Sequence, residues 1–249
     1  MIIQRQSLSQ AGRIEWIDTV KGLAILMVMW GHVIKGVNPV FNWICTFHVP
    51  VFLVLSGLLF AYKNKGLNSF KHTVNKILWP YLIFSVFAMI TDALLSFVDS
   101  GSFSASIKMV LIDGYKTIIL YGIHALWYLG SYIIAVWIYL KIRDFSIKAR
   151  AFCEIIFILA GIILSCISSM YKVPTILLLL VVSCIRSLVC SVFLFCGLDL
   201  YRLMKDVKTR KTLYFSLGVV LLVISLICAE KNGVSNFSTV EYGKFPWLC

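Results

Sequence analysis

Apolar residues in this chain fall in long blocks, and the stretches between them are short, polar and mostly basic. Seven blocks can be drawn, near 15–34, 41–62, 77–97, 122–140, 152–170, 174–198 and 212–229. Each holds roughly 18–25 residues, the length at which a helix rising 1.5 Å per residue crosses a hydrocarbon layer about 30 Å thick. The predicted class is all-α, a polytopic transmembrane helical bundle of about seven spans in a single domain covering 1–249. The connecting stretch 98–121 opens polar and becomes half apolar from Ile107 to Tyr121. Lys108 and Asp113 would be costly at the bilayer centre, so a short helix lying at the interface is expected there. No internal repeat or low-complexity tract interrupts the pattern.

Composition narrows the class further. Of 249 residues 60% are hydrophobic and 14% charged, with a mean hydropathy of +0.92. A soluble domain carries about 45–50% apolar and about 25% charged residues, so a soluble enzyme is excluded. The net charge of +12 would suggest nucleic acid in a soluble protein, but no basic stripe interleaved with aromatics is present and nucleic acid is excluded as a partner. The cations sit between the apolar blocks instead. With the N-terminus inside, the inner segments carry 15 Lys and Arg residues, among them Lys63, Lys65, Lys76, Lys141, Arg143, Arg150 and Arg202, against six outside. That is a positive-inside pattern over three successive inner loops. It predicts a multi-pass protein of the plasma (inner) membrane with a cytoplasmic N-terminus, which counts against a seven-helix receptor. The first block keeps Lys21 near its start and has no small-residue cleavage site, so it reads as a retained helix. The eight cysteines form no CxxC and no spacing with His that suits zinc, so they are expected to be packing residues, with no metal and no disulfide framework.

Ionisable residues inside a span are expensive and therefore candidates for chemistry. The first block concentrates three, Asp18, Lys21 and His32. Eleven steps of about 100° bring His32 to within about 20° of Lys21, and fourteen bring it to within about 40° of Asp18. Asp18 and Lys21, at i and i+3, can pair. One helix face thus carries an acid–base pair near the inner end and an imidazole about 16 Å further across. This suits a substrate entering from the cytoplasm with its charged end low and its reactive end high, because histidine exchanges protons near neutral pH. The alternative is that Lys21 snorkels to one interface and His32 sits at the other, both as anchors.

The segment from Arg13 through Asp18 and Lys21 to Gly31-His32 resembles the opening of the membrane-bound acyltransferase 3 family, which is marked by Arg or Lys, ten residues, then His. Phe47-His48-Val49-Pro50-Val51-Phe52 with Ser56-Gly57 resembles the family's second helix, and Lys76-Ile-Leu-Trp-Pro80-Tyr the start of its third. Leu126-Trp127-Tyr128-Leu129 and Phe193-Leu-Phe-Cys-Gly197 match two later landmarks in order. The chain is most similar to the fucose 4-O-acetylase-like branch. The resemblance implies transfer of an acyl group, usually acetyl from acetyl-CoA, to a hydroxyl of a carbohydrate or other envelope component. On it, His32 is the catalytic residue, as general base or transient acyl carrier, and Lys21 helps hold the donor, with Asp18 orienting it. Two departures stand out. The family often has two Arg residues three apart before the third helix, and here the positions are Thr73 and Lys76. A lone Lys lacks the planar fork that grips phosphate, so Lys76 is either a donor contact or an interfacial anchor. Family members also have more spans than the seven drawn here, which implies a C-terminally truncated copy.

Other candidates are supporting. His48 either faces His32 or donates to the backbone carbonyl freed by Pro50. Arg186, deep in the sixth span, needs a partner or a water-filled cavity, with Asp92 in the third span one such partner. Glu154 and Asp199, near span ends, are expected in solvent. Trp79 and Trp127 suit an interfacial aromatic belt, although Trp127 also falls on a family landmark. The rival readings are a transporter or export component lined by Lys21, His32 and Arg186, and an inactive remnant.

Overall fold

The computed structural model describes residues 15–33, 39–170, 176–206, 211–233, 235–236 and 238–240; the side chains of His32, 168–170, 205–206 and 211–219 lie outside the described set. Among the described residues eight α-helices follow one another: α1 (Glu15–Val33), α2 (Pro39–Tyr62), α3 (Phe70–Ser100), α4 (Phe103–Ile118), α5 (Trp127–Ile142), α6 (Ile147–Met170), α7 (Ile176–Asp206) and α8 (Lys211–Asn232). Short 3-10 turns, Leu67–Ser69 and His124–Leu126, lead into α3 and α5. The predicted all-helical class is what is found.

Five of these stretches are long and apolar enough to cross a membrane: Pro39–Tyr62, Leu67–Ser100, His124–Ile142, Ile147–Ile167 and Ile176–Met204. The expected seven is therefore supported for five. α1 and α8 stand in the other two expected places and are not among these five; α1 carries Glu15, Asp18 and Lys21 within 19 residues. α4 takes the place of the expected short helix. It turns Ser106, Asp113 and Thr117 inwards and leaves Phe103, Leu111 and Ile118 exposed.

α2 and α7 form the central pair, and two glycines explain how they approach so closely. A Cβ on Gly57 would strike the carbonyl of Leu194, and one on Gly197 would strike the carbonyl of Val54 and the amide of Leu58. Without a hydrophobic force between helices in lipid, such backbone proximity supplies the dispersion contacts that hold them. Leu53, Leu194 and Phe195 are buried around the crossing, joined by Ala135, Val136 and Tyr139 of α5. α6 packs on α7, α1 and α8 on α2, and α3 on α4 and α5. α3 is the most lipid-facing of the five spans, with Leu82, Phe84, Phe87, Leu94 and Val98 exposed. It ends on Gly101 at φ 63, whose N–H bonds the Phe97 carbonyl. That left-handed cap is one that glycine adopts without strain.

Successive helices run antiparallel except α4 and α5, which both return along α3 towards its start, and charge segregates. Lys63, Lys65, Lys71, Lys76, Lys141, Arg143, Lys148, Arg150 and Arg202 fall at one end, hereafter the basic end. Asp92, Asp99, Lys108 and His124 fall towards the far end, whereas Asp113 and Lys116 lie on the stretch of α4 that returns along α3 to Tyr81.

Candidate active site

α1 begins at the basic end, where Ile17 is buried against Leu55, Leu58 and Tyr201. Its helix runs unbroken from Glu15 to Val33, so Asp18, Lys21 and position 32 share one side of a continuous rod. Lys21 is half-buried and Asp18 exposed. His32 lies in the last turn at the far end; its side chain is outside the described residues. Its neighbour Gly31 rests against α2, where an added Cβ would stand 3.4 Å from Cγ2 of Ile44. The backbone at position 32 is thereby set beside the turn of α2 that leads to His48.

His48 Nδ1 lies 2.8 Å from the carbonyl oxygen of Ile44. A carbonyl only accepts, so Nδ1 carries the proton and Nε2 is the basic nitrogen of the neutral ring. Of the two expectations for His48, donation to a backbone carbonyl is observed, but the acceptor differs. Pro50 frees the carbonyl of Thr46, whereas the imidazole reaches back one full turn to Ile44. Val49 packs in the central cluster beside Trp127, Tyr128 and Tyr132.

Arg186 is almost wholly buried, at 1% exposure. Its Nε donates to the Ser131 hydroxyl (2.7 Å), Nη1 to the Ser238 carbonyl (2.6 Å) and Nη2 to the Tyr121 carbonyl (2.7 Å). The guanidinium carbon sits 5.0 Å from the Tyr121 ring centre and 5.1 Å from that of Trp127. It therefore ties α7, α5, the 119–126 loop and Ser238 together. Asp92 is not the partner named for it. That carboxylate receives His124 Nε2 at 2.9 and 3.1 Å, because His124 stands where α3 meets the turn into α5. Trp127 is half-buried over Arg186, a packing role in place of the expected interfacial belt, while Trp79 is 67% exposed and suits one.

Lys76 is exposed on the second turn of α3. Nearby Lys65 is held below the usual lysine range, first by partial burial and then by the charges of Lys63 and Lys76. Asp199 keeps 42% of its side chain in solvent, as expected, whereas Glu154 keeps only 20%, and both are also ion-paired. Arg150, buried at 4% exposure, donates from Nε to Glu154 (3.1 Å) and from Nη2 to Asp199 (2.5 Å), and Asp199 also meets Arg202 at 3.5 Å. The Arg150–Glu154 pair is an i,i+4 spacing that the sequence displays. The Asp199 contact spans 49 positions and has no such signal. Arg143 donates to the Lys65 carbonyl, to Asn64 (3.0 Å) and to Asp144 (3.1 Å), which locks the two basic loops together.

The arrangement thus has a cation-rich end, a helix face rising from it past Lys21 to position 32, and a second imidazole on α2 with its basic nitrogen defined. Such a layout can hold an anionic donor at one end and exchange a proton at the other. Comparison with known proteins agrees. The model of the family described as "Acyltransferase domain", the acyltransferase 3 domain, matches residues 14–246. Neither the curated proteins nor the solved structures returned a match. The match takes in nearly all of the chain, including the landmark segments named above apart from Arg13, and the chain belongs to the acyltransferase 3 family, in general terms a membrane O-acyltransferase.

Proposed function

We propose that the chain transfers an acyl group, acetyl in the first instance, from acetyl-CoA to a hydroxyl of a carbohydrate or other cell-envelope glycan. It does so in the plasma (inner) membrane with the basic end and the N-terminus cytoplasmic, and with α1 and α8 crossing the bilayer beside the other five helices. Membership of the acyltransferase 3 family carries the reading. The 15-to-six distribution of cations supports the orientation.

His32 acts as general base. It takes the proton of the acceptor hydroxyl as that oxygen attacks the thioester carbonyl. The tetrahedral intermediate collapses with expulsion of the CoA thiolate, which takes the proton back from the imidazolium. Lys21 and Lys76 attract the donor's anionic portion, and Asp18 orients Lys21 one turn away. His48, Trp127 and Arg186 support the site by fixing α2, α5 and α7 around it. The test is mass spectrometry of envelope glycans from cells with and without the gene. A gain of one acyl group that requires the gene supports the reading, and identical glycans refute it.

A further inference from the structure

α3 and α4 run antiparallel, joined at Gly101 and tied again where the Tyr81 hydroxyl donates to the Thr117 carbonyl at 2.9 Å. Between those two ties lies a cavity of about 580 Å³, within the range of about 300–1,000 Å³ typical of small-molecule sites. Val86, Ala93 and Phe97 line it from α3, and Phe103, Ser106 and Val110 from α4. The lining is apolar except at Ser106. That residue is 8% exposed, and its hydroxyl has no hydrogen-bond partner among the described residues. Other helical serines of the chain turn theirs back on a carbonyl four residues earlier, Ser56 on Phe52 and Ser187 on Ser183. A buried hydroxyl left out of such bonding calls for an explanation.

The place of the cavity selects its occupant. The apolar block of this span runs 77–97, so Phe97 stands at its far edge and Val86 near its middle. Eleven steps separate them, a rise of about 16 Å, against about 15 Å for half of a hydrocarbon core about 30 Å thick. The cavity is therefore a groove as deep as one leaflet, running from the level of Ser100 and Ser102 to the midplane. Ser106 comes a turn below the polar end, where the fatty chains of that leaflet begin. Other occupants fit less well. A water needs about two to four polar partners and meets one here. No charged side chain among the described residues lines the groove, so a phosphate or a sugar has nothing to hold it. A helix about 10–12 Å across fills more than this volume over the same length.

We propose that this groove holds one fatty acyl chain of a glycerophospholipid from the far leaflet, with the ester carbonyl at its head accepting a hydrogen bond from the Ser106 hydroxyl. The hydroxyl is covered where it stands, and one χ1 step turns it onto the cavity that the residue lines. The phosphate and headgroup stay outside, level with Ser100 and Ser102. The lipid is a resident component and takes no part in acyl transfer, so it stays bound in the absence of any acyl donor.

The test is native mass spectrometry of the purified, delipidated chain in dodecylmaltoside, titrated with dioleoylphosphatidylglycerol or with its dialkyl ether counterpart, which lacks the carbonyl. One lipid per chain should outlast the rest, with the diester held about fivefold more tightly than the diether, the factor of one hydrogen bond. Ser106→Ala should hold the two equally. Ala93→Phe fills the groove and should lose the retained lipid, with a Tm that added lipid no longer raises. Leu95→Phe, at an exposed position of α3 outside the groove, should keep it. The Ser106→Ala comparison decides by itself where Ala93→Phe fails to fold. Equal affinity of wild type for diester and diether overturns the proposal, as does a lipid retained by folded Ala93→Phe. A wild-type dimer without lipid that Ala93→Phe breaks assigns the groove to a second copy and overturns it too.

Discussion

Replacing Gly197 with alanine tests the α2–α7 crossing that holds the bundle together. The added methyl would meet the Val54 carbonyl, the Leu58 amide and the Gly57 carbonyl carbon, all backbone atoms with no rotamer to change. The helices must therefore part, by about 1 Å to reach ordinary van der Waals separation. A gap of that size forfeits a quarter to a half of each dispersion well of about 0.1–0.2 kcal/mol. Leu53 and Leu194, both buried at the crossing, would each make about 40–60 such contacts, and if about fifty cross the interface the loss is roughly 1–5 kcal/mol. Gly57→Ala opens the same crossing, so the double variant should cost less than the sum of the singles. Gly114→Ala in α4 is the control. Nothing lies within 4 Å of its added Cβ, and alanine should stabilise that helix by up to about 1 kcal/mol. Unfolding in mixed micelles, followed by circular dichroism with increasing denaturing detergent, reads all four. A Gly197→Ala protein within about 0.5 kcal/mol of wild type would refute the close-approach argument.

Further outcomes follow from other contacts. Arg186→Lys cannot serve Ser131, Tyr121 and Ser238 at once, and should cost about 2–4 kcal/mol and open the chain at Ser238 to proteolysis; unchanged protease resistance would contradict this. Asp92→Asn should cost no more than about 1 kcal/mol, since its His124 partner is 69% exposed, and a larger loss of Tm would show the pair to be structural. Lys65 has a lowered pKa in the fold, so the unfolded chain binds its proton more tightly and the charged form destabilises the native state below the folded pKa. Lys65→Met should therefore raise Tm at neutral pH, with the advantage shrinking as pH climbs towards 10.5, and a pH-independent difference would be the wrong result.

Much of the bundle was legible, for identifiable reasons. Apolar block lengths placed the helices, but the ends were drawn short where helices continue as polar rods beyond the hydrocarbon layer. α3 was expected from 77 and starts at Phe70, because Lys71 and Lys76 end a hydropathy block without ending a helix. α7 runs to Asp206 for the same reason, eight residues beyond the block that ends at 198. Ionisable residues inside spans were easy to find, whereas their partners were not. Arg186 is satisfied partly by backbone carbonyls, which no residue pattern reports, and Asp92 by a histidine in a turn. The glycines of two landmark segments could be read as a family signature, yet only the fold shows that Gly57 and Gly197 meet. The basic-end cluster was visible as charge, whereas the groove between α3 and α4 and the unpartnered Ser106 hydroxyl beside it emerged only from packing.

The central claim, that His32 performs the acyl transfer, is tested most directly by His32→Asn assayed with radiolabelled acetyl-CoA in membranes matched for folded protein. The account predicts a fall in kcat of about 10²–10⁴, the range that loss of a general base produces, at near-wild-type levels of intact protein. Transfer retained within about tenfold of wild type would contradict it.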